Sequence, residues 1–393
     1  MILFLAMYVF SFGKLKINRV FIFILTLVSL LSFLNVFWGN NSIFLLFKQS
    51  GGFLINGVVY YLLIRVNKND INKLFCVYLK LAFIIAMIGI FQELSFLIGF
   101  KYGYDYSYFI PKFSNVGTAL GMLRVTSILP EPSHFGAAMA PAMFVSVLNI
   151  IKKESNFLSR KASFLIIISI LLSFSLVSYT GIVIALILIM FNNKKITLIV
   201  ACVIMLFVFI RFAYLYLPDI RIRVDDTVSV ITENAPLGKG NLSTFAFCSN
   251  AMVAYKSFLN NPLFGSGIGS HSLSYNRYIA EFIGPNPDPN LTISLCVEDA
   301  GSLFFRLISE TGLLGLFLFF YFIIRFYVSK SKNEHVWIIS NSIVCLFVMN
   351  LIRMGNYFYC GFIFFIWAYY FTGKSIVNAI NSNIKNKLNI VRK

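Results

Sequence analysis

The chain has 393 residues, of which 59% are AVILMFWYC, 17% are aromatic and only 12% are charged. Soluble domains run at roughly 25% charged, so a water-soluble globule of this size could not cover its surface. Disorder, collagen repeats and a disulfide-rich secreted scaffold are excluded on the same composition. Mean hydropathy of +0.81 and apolar runs near 20 residues predict an all-α, multi-pass transmembrane bundle. The net charge is +18, from 33 Lys+Arg against 15 Asp+Glu. In a bilayer protein such an excess belongs on the cytoplasmic side, so no nucleic-acid partner is expected.

In chain order the apolar segments are 1–12, 20–38, 43–65, 74–98, 132–151, 163–178, 179–191, 196–217, 301–325, 336–353 and 355–373, about eleven crossings within a range of 10–12. The first is followed by Lys14, Lys16 and Arg19, the reverse of the order in a cleavable signal. The connectors 13–19, 65–73, 152–162, 192–195, 325–335 and the tail 374–393 hold 20 of the 33 basic residues and three acids, Asp70, Glu154 and Glu334. These connectors are expected in the cytoplasm. The expected organisation is an N-terminal bundle over 1–217 with an outer connector at 99–131, a large extracytoplasmic loop at 218–300, C-terminal helices over 301–373 and the basic tail 374–393.

Residues 163–191 lie between two basic connectors and either cross outward and return or form a single long helix with one basic cluster on the wrong side. Each leg is about 14 residues, or ~21 Å, short for a ~30 Å core. A hairpin turning at Ser178-Tyr179-Thr180-Gly181 inside the outer half of the membrane fits. Backbone exposed at that depth needs protein or a water-filled cavity around it.

The outer connector ends in Arg124…Glu131-Pro132-Ser133-His134. Two prolines bracket Glu131 and favour extended backbone before a helix that starts near Ser133. Glu131 is then either a dipole-matching cap or a functional carboxylate. The 218–300 loop has eight acids against five bases and is too long for a link. Residues 245–260 space Cys248, Met252, Tyr255 and Leu259 as an amphipathic surface helix. It runs into Asn261-Pro-Leu-Phe-Gly265-Ser-Gly267-Ile-Gly269-Ser-His271. Glycines at alternate positions permit positive φ and close backbone approach, and such a segment can cradle phosphate, though no strand precedes it. Cys248 and Cys296 share this loop and could pair outside the cell; Asn241 and Asn290 head sequon matches. Tyr102, Tyr104, Tyr106, Tyr108, Tyr275 and Tyr278 lie on the outer connectors, as sugar-stacking faces or interface residues.

Lys48, Lys80, Glu93, Arg211, Arg306, Glu310 and Arg353 fall inside apolar segments, where charge is costly. Lys80 snorkels inward. Lys48, Arg211, Arg306 and Arg353 gather at outer helix ends, against the positive-inside bias. Arg306 and Glu310 are spaced to pair with each other. Alternatively the outer arginines bind an anion at membrane level, and guanidinium matches phosphate bidentately.

Three stretches resemble the O-antigen polymerase and ligase superfamily of bacterial envelope glycosyltransferases. Arg124…Glu131-Pro132 resembles R-x-T-x-x-x-x-E-P, Pro262…Gly265-Ser-Gly267-Ile-Gly269 resembles P-x-x-G-x-G-x-G, and Leu303…Glu310-Thr-Gly312-Leu-Leu-Gly315-Leu resembles the helix entry after the family's large loop. Ligases place His-Asn where Gly301-Ser302 stands, and members often carry Arg and Trp where Phe247 to Ala251 lie here. Both departures favour the polymerase subgroup over ligase; a transporter of lipid-linked oligosaccharide is the reading from another class. The resemblance implies an inner-membrane enzyme with a periplasmic loop, acting on undecaprenyl-pyrophosphate-linked oligosaccharide among membrane lipid. A chain-length regulator is a candidate partner, and no metal or cofactor is expected. The implied pyrophosphate clamp is Arg211, Arg221, Arg223, Arg306 and Arg353, with Arg124 and Arg277 also on the outer side. Glu131, His134 and His271 are the candidate general bases.

Overall fold

A computed structural model of the protein describes residues 18–110, 113, 117–193, 204, 211, 214–215, 218–232, 237, 242–284, 293–330 and 333–375. The 1–12 segment, most of the 196–217 segment, Lys194, Lys195, the Pro-Asn-Pro stretch after Gly284, both sequon asparagines and the tail beyond 375 lie outside the described residues.

The helices are α1 Arg19–Phe37, α2 Ile43–Val66, α3 Ile71–Leu97, α4 Pro132–Ala138, α5 Ala140–Lys152, α6 Arg160–Leu171, α7 Leu176–Asn192, α8 Pro218–Thr232, α9 Leu242–Asn260, α10 His271–Tyr278, α11 Leu303–Glu310, α12 Gly312–Phe326, α13 Glu334–Arg353 and α14 over 362–375. Their starts follow local chemistry. Asn18 caps α1 through Val20 and Phe21 N–H, Asp70 caps α3 through Lys73 N–H, and Ser159 caps α6 through Ala162 N–H. By length and composition α1, α2, α3 and α13 can each cross a membrane, and α4 with α5 makes up to five. Among the described residues these helices are fewer than the expected eleven, two of whose segments, 1–12 and most of 196–217, lie outside them.

Three expectations about continuity are corrected. Segment 132–151 bends by 66° at Met139, because Pro141 in the first turn of α5 has no N–H to continue the ladder. Segment 301–325 breaks at Thr311, between α11 and α12, with Gly312 at φ +60. The 163–191 turn falls at 172–175, before Ser178. There Phe174 adopts φ +43 and the Ser173 hydroxyl donates to Ile170 O at 2.6 Å. Ser178 to Gly181 are helical instead. A two-stranded hairpin, Thr118–Ala119 with Met122–Leu123, was not foreseen; it turns through Leu120 at φ 54 and Gly121 at φ +77.

The chain divides into two compact units, each assembled from separate stretches of sequence. The first comprises Met1–Leu62, Ala201–Phe322 and Asn350–Phe364; the second comprises Leu63–Val200, Ile323–Met349 and Phe365–Lys393. In the second unit the core centres on α5, where Ala140 to Asn149 are all buried. Phe144 meets Trp337 edge-on, and Gly181 lets α7 approach the sulfur atoms of Met143 and Met349. In the first unit, Phe245, Cys248, Val253, Tyr275 and Ile279 form a core beneath α9 and α10.

Candidate functional site

Arg124, Glu131 and His134 all belong to the second unit. Gln92 and Glu93 on α3 act on backbone 30 residues and more downstream. Gln92 Oε1 accepts from Thr126 N (3.1 Å) and Ser127 N (2.9 Å), while Glu93 Oε2 accepts from Leu123 N (3.0 Å). Two side chains thus hold the strand on either side of Arg124. Arg124 itself lies within electrostatic range of the Tyr179 hydroxyl. The chain then reaches α4, whose Gly136 sits against Ser178 at the start of α7. Glu131 occupies the N-cap position with extended backbone, but its carboxylate caps no helix N–H. It is exposed and accepts instead from Ser133 Oγ at 3.1 Å. The carboxylate still stands at the N-terminus of α4, where its charge matches the helix dipole. His134 is half-buried on the first turn of the same helix.

The first unit contains the Gly-rich segment and the remaining arginines. Gly265, Gly267 and Gly269 all have positive φ, at +65, +98 and +82. A Cβ on Gly265 would overlap the Glu310–Thr311 peptide. The segment is a backbone patch over the break between α11 and α12. Ser266 N donates to Ser309 O (2.9 Å) and Gly267 N to Glu310 O (2.8 Å). Leu313 N and Leu314 N donate to Pro262 O and Leu263 O, at 2.9 and 3.0 Å. Four groups freed by the broken helix are thereby satisfied by other backbone. Ile268 N is taken by Ser32 Oγ (2.9 Å) and Gly265 N by Asn261 O (3.0 Å). The N–H groups of residues 265–268 are all occupied, so the phosphate-cradle expectation gives way to a structural one.

His271 follows this segment and is completely buried. Asn250 Nδ2 donates to Ala246 O and Leu295 O, so Asn250 Oδ1 is left to accept from His271 Nε2 at 3.0 Å. The neutral ring then accepts at Nδ1 from Ser309 Oγ, 2.9 Å away. Burial, with the Arg306 charge adding to it, pushes the imidazole down to about 3. A sealed ring with both nitrogens engaged cannot take a proton from an incoming substrate, so the general-base expectation for His271 is corrected. Cys248 and Cys296 are thiols. Along α9, Cys248 is buried and Tyr255 and Leu259 are exposed, while Ser249, Asn250 and Ser257 face inward. Ser257 Oγ reaches Ser266 Oγ at 3.0 Å and Ser274 Oγ at 3.2 Å, which explains a polar buried face.

The arginines divide by partner. Arg306 and Glu310 are buried at 5% and 0% exposure. Arg306 Nε donates to Glu310 Oε1 (2.9 Å), Nη1 to Gly355 O (3.0 Å) and Nη2 to Gln49 Oε1 (3.4 Å). Its guanidinium carbon stacks 4.1 Å from the Tyr357 ring, whose hydroxyl donates to Glu310 Oε2 at 3.1 Å. The mutual-pairing reading of this couple is realised, and two of the five guanidinium N–H groups stay unassigned. Arg277 holds Gly39 O and Asn40 Oδ1, at 2.8 and 3.3 Å. Arg221 pairs with Asp225 at 3.7 Å and shares the Tyr214 ring with the exposed Arg211. Arg223 lies on α8. Arg353 differs from the rest: its Nη1 is buried with no hydrogen-bond partner. That nitrogen sits 3.4 Å from where a Cβ on Gly301 would stand. Gln49 repeats the pattern, with Nε2 buried and unsatisfied. Nearby, Lys48 Nζ lies 3.8 Å from Glu298. Nothing in the sequence marks Gln49, because polarity in a helix does not reveal which atom will lack a partner.

Residues 162–320 match the family model described as O-Antigen ligase. The chain carries an O-antigen ligase-like domain. This agrees with membership of the wider ligase and polymerase superfamily of membrane glycosyl-transferring enzymes, which act on lipid-linked oligosaccharides. The matched range takes in the large loop, the Gly-rich patch and the Arg306–Glu310 pair, whereas Glu131 and Arg353 lie outside it. No curated protein and no solved structure matches the chain.

Proposed function

We propose that this O-antigen ligase-like protein is a polysaccharide polymerase of the bacterial inner membrane. It transfers a glycan from undecaprenyl pyrophosphate to the non-reducing end of a new lipid-linked repeat unit at the outer face. The supporting observation is the buried, unpartnered Nη1 of Arg353 beside Gly301. A guanidinium N–H held out of water with nothing to donate to is costly, and an anionic substrate oxygen would satisfy it. As the glycosidic bond breaks, negative charge grows on the departing pyrophosphate, so a fixed cation favours the transition state over the ground state. The two spare N–H groups of Arg306 would add to it. The proton of the incoming hydroxyl needs a further acceptor. Placing Gly301-Ser302 where ligases carry His-Asn supports polymerase. The ligase reading, in which finished glycan moves to a different acceptor, is favoured by the similarity of residues 162–320 to the O-antigen ligase family.

Arg353→Gln tests the reading. Purified protein with a synthetic carrier-linked repeat unit is expected to yield a ladder of products, and the variant at least about a hundredfold less, with unchanged membrane insertion. A normal ladder from Arg353→Gln would refute the clamp. A single transfer to an unrelated acceptor, without a ladder, would replace polymerase by ligase.

A further inference from the structure

The side chain of Gln49 is 7% exposed, on the second turn of α2. Its amide orientation is settled by chemistry. Arg306 Nη2 is a donor only, so the atom facing it at 3.4 Å must be Oε1. The NH2 end is therefore fixed on the opposite side, and that end is buried and unsatisfied. Exchanging the two amide atoms would put two donors face to face, so no flip relieves it. An orphaned buried donor costs free energy comparable to a lost hydrogen bond, and here a charged neighbour holds it in place.

Arg306 connects Gln49 to the segment that carries the Arg353 nitrogen's neighbour. Arg306 joins Gln49 to Gly355 O, and Gly355 packs directly on the Asp299 carbonyl. Two residues on, Gly301 faces Arg353 Nη1. One residue before Gln49, Lys48 reaches Glu298. Arg353 Nη1 and the exposed Lys48 ammonium thus border the short stretch 298–301, whose Gly301 lies at φ +60, and Gln49 is joined to that stretch through Arg306 and Gly355.

We infer that Gln49 is a substrate-binding residue whose Nε2 donates to a phosphoryl oxygen of a lipid diphosphate. The inference rests on the pyrophosphate reading above and adds a neutral donor to it. Arg306, tied to Glu310, orients the amide from behind, so its own contribution is positioning. A neutral donor at this depth satisfies one phosphoryl oxygen without adding a further buried charge.

The test is equilibrium binding of undecaprenyl pyrophosphate to the purified full-length protein, with melting temperature recorded for each variant. Gln49→Met removes the donor at similar size. Gln49→Glu removes the donor but keeps an oxygen for Arg306, so the fold retains its contact while the anion meets a carboxylate. Affinity is expected to fall about tenfold or more in Gln49→Met and further in Gln49→Glu, with the Glu variant melting no lower than wild type. If both Gln49 variants bind within about twofold of wild type while Arg353→Gln does not bind, the assignment of Gln49 is wrong and the clamp stands. If Arg353→Gln binds as wild type does, or wild type itself does not bind, the clamp reading fails and this inference fails with it. If Gln49→Met does not fold, Gln49→Glu alone decides, because a merely structural Gln49 would leave its affinity unchanged.

Discussion

Arg306→Met removes a guanidinium that meets Glu310 at 2.9 Å, Gly355 O at 3.0 Å and Gln49 at 3.4 Å. Glu310 is fully buried and would keep only the Tyr357 hydroxyl, at 3.1 Å. Breaking a buried ion pair from one side costs about 3–5 kcal/mol, because the surviving charge is left without compensation. The stranded Gly355 carbonyl adds about 1 kcal/mol. The expected loss is therefore about 4–6 kcal/mol, reduced to the extent that Glu310 takes up a proton. Replacing both partners by apolar groups of similar volume is nearly neutral in buried pairs. Arg306→Met/Glu310→Leu should accordingly recover most of the loss. Unfolding in detergent micelles, for both singles and the double, closes the cycle. A single-variant cost below about 1 kcal/mol, or a double variant no more stable than Arg306→Met, would refute the argument that this pair is a structural brace.

Two further outcomes follow from the same unit. Gly265→Ala places a methyl against the Glu310–Thr311 peptide at φ +65. Left-handed backbone costs an alanine about 1–2 kcal/mol, and the displaced segment gives up backbone bonds worth about 1 kcal/mol each; a loss of about 3 kcal/mol or more is expected. Gly39→Ala, at φ +70 in open space, is the control and should lose only the backbone part. A Gly265 variant no less stable than that control would remove the case for close approach. For His271 the folded-state imidazole is held down to about 3, below its ordinary 6.5. Between those values the unfolded chain binds a proton that the folded one refuses, so stability is full above about pH 6.5 and falls as pH drops towards 3. His271→Gln should flatten thermal stability between pH 7 and pH 4 relative to wild type; an unchanged slope would show that another group governs the acid loss.

Much of the candidate site was legible because its signals are local. An i,i+4 spacing put Arg306 beside Glu310, and alternate glycines marked a segment that must approach other backbone. The same signals misled where a distant partner decides the outcome. A Gly-rich run reads as a phosphate cradle until the N–H groups are found bonded to Ser309, Glu310 and Ser32. His271 reads as a base until Asn250 and Ser309 close over both nitrogens. That Ser257 and Asn250 of α9 point inward was likewise not legible, since the hydroxyl and imidazole partners that receive them lie in other segments.

Composition and hydropathy alone determined that this chain folds in a bilayer, because apolar area sums along a segment without reference to anything outside it. Caps at Asn18, Asp70 and Ser159, and the bend at Pro141, followed from residues within a turn of the helix end. Only the tertiary structure decided which donors go unsatisfied. Gln49 meets Arg306 across 257 residues of chain, and whether a polar atom finds a partner depends on every segment packed around it, which no local pattern encodes.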